Sequence, residues 1–202
     1  MVVRTLIGRK DMVPRFAIFA AAAPALFVLA ACTTQPPEPP PPPADPTMDL
    51  FTAAAGGNIA ELAANKHSGS DLDALSPDMQ ITPLTMAAVG GQAKATQWLL
   101  DNGADVNGKN GDGSTALKAA AFLGHAGVAK VLIDGGIDTS ARDWEGNSAA
   151  DIARIDWDAT EYILTTLVQP AVANMLQLEV DRKTIESGRA KILAMMAETS
   201  EA

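Results

Sequence analysis

Two gap-free copies of a 33-residue pattern, and the start of a third, limit this chain to a stacked architecture. Thr82, Pro83, Leu84 and Thr85 open one unit, followed by Ala87, Ala88, Gly91, Leu99, Leu100 and the run Gly103, Ala104, Asp105, Val106, Asn107. Thr115 opens the next, with Ala116, Leu117, Lys118, Ala120, Ala121, then Gly124, His125, Val131, Leu132, Ile133, Gly136, Ile137 and Asp138. The third begins at Ser148 with Ala149, Ala150, Asp151, Ile152 and Ala153. A unit this short cannot bury an apolar face alone, so neighbours must stack and share one continuous core.

Each landmark has a mechanical reason. Thr82 can cap a helix, Pro83 fits its first turn, where a missing amide costs nothing, and Leu84 points inward. Paired alanines allow close helix contact. Gly91 and Gly124 suit a tight turn between two helices, and Gly103 and Gly136 suit a left-handed position ending the second.

These residues closely resemble the ankyrin repeat. The resemblance implies an all-α fold, an ankyrin-repeat solenoid of about four helix pairs with hairpin loops and a C-terminal helical cap. Upstream, Leu50 to Asn58 and Gly69 to Asp73 resemble an N-terminal capping repeat whose register requires one extra residue in the following loop. In the last unit Trp157 and Asp158 replace the usual Gly and His. The run Tyr162, Ile163, Leu164 and Leu167 is out of register with the double leucine, as terminal repeats often are. The resemblance spans residues 47–168.

Residues 169–202 form a C-terminal helical extension. Pro170 is expected to start a helix past Met175, Leu176 and Val180, and a second apolar spacing runs through Ile185, Ile192, Leu193 and Met196, with Gly188 as a break. The extension reads either as a cap over the open end of the stack or as an amphipathic helix for a partner. The need to cover a terminal repeat favours the cap.

Residues 1–31 have the layout of a secretory signal: a basic stretch with Arg4, Arg9, Lys10 and Arg15, then an apolar segment from Phe16 to Ala31. That segment is shorter than the roughly 20 residues a membrane span needs. Leu29, Ala30, Ala31 and Cys32 at its end resemble the bacterial lipobox, which implies lipid attachment at Cys32 and cleavage before it. Cys32 is the only cysteine, so an intramolecular disulfide is impossible. Residues 32–46 then read as the lipidated cysteine and a Pro-rich linker, whose extended conformation from Pro36 spans roughly 34 Å as a spacer. Thr33 follows the cysteine. In the enterobacterial pattern an Asp there retains the protein at the inner membrane, so the resemblance implies an outer-membrane anchor facing the periplasm.

The formal net charge is -9, and loss of residues 1–31 would make the mature chain still more acidic. Such a surface repels phosphate backbones, so nucleic acid is excluded as the expected partner and a basic protein fits better.

Features that look chemical have simpler readings. Gly103 to Asn110 nearly spells a phosphate loop, but Asn110 stands where Ser or Thr should ligate magnesium and the segment follows a helix. Asp105, Asn107, Asn110 and Asp112 lack the closing Glu of a calcium loop. His67 and His125 fall in different repeats with no metal-ligand spacing. No nucleophile elbow occurs, and no carboxylate pair is marked out for acid–base work. No enzyme activity, catalytic residue, metal, cofactor or small-molecule substrate is expected.

Function is therefore expected on the repeat surface, through an unidentified protein partner. The candidate contacts are Arg142 and Trp144 on a hairpin and Phe122 and Leu123 at variable first-helix positions, because aromatic and Arg residues are enriched in binding hot spots. Trp144 either packs on a neighbouring hairpin or meets the partner, and Phe122 is either buried or exposed for contact. The expected role is a lipid-anchored adaptor or inhibitor. The alternatives are an immunity-like neutraliser of a periplasmic toxic enzyme and a structural, envelope-organising lipoprotein.

Overall fold

The computed structural model describes residues 45–164 and 181–200. Residues 1–44, with Cys32 and its flanking motif, lie outside them, as do Leu167 and the helix expected from Pro170 to Val180.

The described residues are helical, with one isolated antiparallel bridge between Arg142 and Ser148 and no strand among them. The helices are α1 (Leu50–Gly56), α2 (Ile59–His67), α3 (Pro83–Val89), α4 (Ala93–Asp101), α5 (Ala116–Leu123), α6 (Ala126–Asp134), α7 (Ala149–Ala153), α8 (Trp157–Ile163) and α9 (Arg182–Ser200). Local chemistry sets the starts. The Thr82 hydroxyl accepts from Thr85 N at 3.1 Å, with Pro83 in the first turn of α3. Asp49 accepts from Phe51 N and Thr52 N, and Ser148 and Asp151 form a reciprocal capping box. Thr115, equivalent to Thr82, adopts the extended capping conformation without a side-chain bond. Gly91 and Gly124 take the left-handed conformation at the turns, with φ of 67° and 71°.

The first helices α1, α3, α5 and α7 stack in one row, and α4 and α6 continue the second row behind them. Ala53, Ala54, Ala87, Ala88, Ala120 and Ala121 are fully buried or nearly so, which lets the helices approach closely. Leu84 and Leu117 occupy equivalent core positions, 2% and 0% exposed. In the first repeat Asn65 stands where Leu99 and Leu132 stand later. It is buried, and its amide donates to Met48 O and Glu61 O, tying down the chain ahead of α1.

The hairpins close by matching main-chain bonds: Ser76 N to Ile81 O, Asn110 N to Ser114 O, and Asp143 N to Asn147 O. The first is one residue longer, which locates the extra residue the register required. Gln80, at φ 53°, fills the left-handed position that Gly113 and Gly146 take in the next two hairpins.

The fourth repeat is completed unexpectedly. The helix that packs on α6, α5 and α7, in the place due to a second helix, is α9 and not α8. Ile192, Met196 and Ile185 on α9 are buried, as the cap reading requires. Gly188 does not break α9, contrary to expectation, because the helix crosses Gly124 backbone against backbone and only a residue without Cβ fits. On α8 Tyr162 is exposed, while Leu164 just after it packs with Leu123 and Ile185.

Candidate partner-binding surface

The third hairpin is held rigidly from beneath. Asp143 is buried, its Oδ1 accepts from Glu145 N and Asn147 N, and its other oxygen pairs with the Lys118 ammonium on α5. Fixed this way, the hairpin turns the next residue, Trp144, outward.

Trp144 is 72% exposed yet well oriented. Its backbone N donates to Asp112 O at 3.0 Å and its indole Nε1 donates to Gly111 O at 3.1 Å, both on the second hairpin. The indole lies against Gly113, where an added Cβ would come within 2.7 Å of the ring. The Lys109 ammonium stands 5.3 Å from the ring centroid, a cation–π distance. Trp144 thus rests on its neighbour hairpin, as the packing reading has it, and still presents most of its surface to solvent. Gly111 N in turn donates to Gln80 O at 2.7 Å, so the three hairpins form one connected ridge.

Arg142, at the base of this hairpin, donates from Nη1 to Asp151 Oδ2 at 3.1 Å and to Gly146 O. The Ser148 hydroxyl and amide, helped by Arg142, hold the Asp151 carboxyl below its ordinary range. With Asp151 and Arg154, Arg142 borders a cleft of about 550 Å³ floored by Ala150, Leu193, Met196 and Ala197.

Leu123 is not brought to this surface and the expectation that it meets a partner is corrected, while for Phe122 the structure favours the burial reading. Leu123 is buried against Leu164 and Ile185. Phe122 is half-buried in the same cluster, under the Arg189 guanidinium at 5.5 Å. Arg189 is itself buried and donates to Phe122 O, Ile155 O and the Thr160 hydroxyl, so α9 covers this end of α5.

The sequence reading missed Lys109, Lys118 and the paired glycines of the second hairpin. Their signal was legible only in combination: a tip bare at Gly111 and Gly113 lies one repeat before a tip bearing Trp144. Asn110 is buried and its Oδ1 accepts from Thr82 N, a structural task at the end of the phosphate-loop-like run. Among the described residues no group of three His, Cys, Asp or Glu side chains could hold a metal ion, and no helix is long and apolar enough to cross a membrane.

The family described as ankyrin repeats, in three copies, matches residues 50–143. Among solved structures the chain is similar to the crystal structure of the ankyrin repeat domain of Bcl-3, described as a unique member of the IkappaB protein family. Identity is 26%, the match covers 57% of this chain and 50% of that one, and the TM-score is 0.49. The chain thus spans half the length of that structure. No curated protein matches it. With the 33-residue period and the stacked helix pairs already in hand, the family match identifies residues 50–143 as an array of ankyrin repeats.

Proposed function

We propose that this protein is a lipid-anchored envelope protein that holds a partner protein on its ankyrin-repeat surface, as an adaptor or inhibitor and without catalysis. The observation that carries the binding half is Trp144, a large aromatic side chain fixed on a rigid hairpin and left 72% exposed. Exposed aromatic anchors on preorganised supports are typical of binding hot spots.

Support for the anchor comes from sequence. Leu29, Ala30, Ala31 and Cys32 close a basic-then-apolar leader, the only cysteine holds the acceptor position, and prolines follow as a spacer. Attachment by several acyl chains is stable, since each buried CH₂ contributes about 0.8 kcal/mol. The residue after Cys32 is Thr33 and not the Asp that in the enterobacterial pattern retains such proteins at the inner membrane, which supports an outer-membrane anchor facing the periplasm.

The test is labelled-palmitate incorporation with membrane fractionation, followed by chemical crosslinking in cells of the tagged protein. Wild type takes up label, fractionates with the outer membrane and gives one dominant protein adduct, while Cys32→Ser loses label and membrane association. Equal labelling of both forms, or recovery at the inner membrane, contradicts the anchoring reading. A second reading, neutralisation of a periplasmic toxic enzyme, draws on the acidic loops, which suit the obstruction of a basic active-site cleft.

A further inference from the structure

The charge of this protein is concentrated where its hairpins are. Residues 71–81, 104–114 and 137–147 carry eight Asp or Glu against only Lys109 and Arg142, a net -6 of the chain's -9. Arg142 is neutralised by Asp151 and Asp143 by Lys118. Asp78, Asp112, Asp138 and Glu145 stand exposed along the ridge. Hydrogen bonds from Ser140 keep the Asp138 carboxyl below its ordinary range, so it stays ionised at any physiological pH.

Large apolar side chains are exposed on the same loops. Leu75, Met79 and Trp144 are 38%, 43% and 72% exposed. Met79 adjoins Gln80, whose carbonyl receives Gly111 N, and the Trp144 ring lies across the bare Gly111–Gly113 tip. Exposed apolar side chains thus stand on the first and third hairpins, with exposed carboxylates on all three. The indole already attracts a cation, the chain's own Lys109.

We infer that this ridge docks a basic, arginine-containing segment of the partner protein, with a guanidinium seated on Trp144 in place of Lys109 and flanking cations facing Asp78, Asp112 and Glu145. The inference rests on the reading of the repeat surface as partner-holding and specifies that partner's chemistry. Complementary charge supplies orientation and a fast encounter, and the desolvated ring supplies the anchor.

Fluorescein-labelled nona-arginine, titrated by anisotropy into the full chain in detergent at low salt, tests the inference, with a neutral Gly-Ser peptide for comparison. Trp144→Ala should weaken nona-arginine binding about tenfold, and so should the double change Asp78→Asn/Glu145→Gln. Lys109→Gln, which vacates the indole and removes a competing charge, should tighten it about threefold. The matched change Asp101→Asn/Asp134→Asn on α4 and α6 should leave binding within about twofold. The inference is overturned by equal losses from the ridge and the α4–α6 change, by weaker binding in Lys109→Gln, or by equal binding of the neutral peptide. If a protein partner recovered by crosslinking depends on Trp144 but the wild type does not bind nona-arginine, this inference fails and the partner-holding reading stands.

Discussion

A Cβ placed on Gly188 would lie 1.8 Å from the carbonyl oxygen of Gly124, so the C-terminal helix meets the turn of the third repeat with no side chain between them. The preceding repeats treat the same turn differently: Gln92 packs over Gly57 and His125 over Gly91, each from the repeat that follows. At Gly124 the covering group comes from α9. Gly188→Ala should therefore lift α9 and lower unfolding stability by about 1 to 3 kcal/mol, as overpacking does. Ser187→Ala, one residue away and exposed, should leave the urea midpoint unchanged.

Leu84 and Leu117 are equivalent core positions, and their truncation to Ala should cost about 2 to 5 kcal/mol each. Urea unfolding measures this directly. Wild-type midpoints in both variants would contradict the repeat register.

Trp144 separates stability from binding. Its ring is mostly solvated and its indole makes one exposed hydrogen bond, so Trp144→Ala should cost no more than about 1 kcal/mol of stability. The same change should weaken partner binding by about 2 kcal/mol or more. A large drop in the urea midpoint with unchanged affinity would make Trp144 a packing residue.

His125 couples the stack to pH. Burial pushes its imidazole below the ordinary 6.5, outweighing the hydrogen bond from Nε2 to Val89 O at 3.2 Å that favours the charged form. A base with a depressed folded value binds its proton more readily when unfolded. Its stability contribution is thus complete above 6.5 and declines as pH falls below it. Asp138 and Asp151 are also depressed, but their contribution is lost only as pH falls below the ordinary carboxyl value of 3.8. Wild type should therefore lose more stability than His125→Gln, which copies Gln92, between about pH 7.5 and pH 5.5. Equal losses would mean that the imidazole is not held neutral by burial.

Periodic positions were legible in the sequence because the repeat states their tasks. Thr82 caps, Leu84 and Leu117 fill the core, and Gly91 and Gly124 turn the chain, each for a local reason visible within one unit. Leu123 was misread as free, and Phe122 was left open between burial and contact, because the repeat gives them no task and the element that covers them, α9, is not periodic. The Gly124–Gly188 crossing leaves no trace in composition or spacing. Trp144 was legible as unusual, but its seat on Gly111 and Gly113 depends on how two hairpins stack, which no single unit encodes.

On the proposed function, the hairpin ridge grips one protein. Photo-crosslinking in living cells, with a photoreactive side chain placed at Met79 or Glu145 on the ridge and at Gln97 or Lys130 on α4 and α6, reads this out at the residues themselves. One dominant adduct is expected from Met79 and Glu145, none from Gln97 or Lys130, and loss of the adduct when Trp144→Ala is added. Adducts of equal strength from Gln97 and Lys130, or none from the ridge, would contradict it.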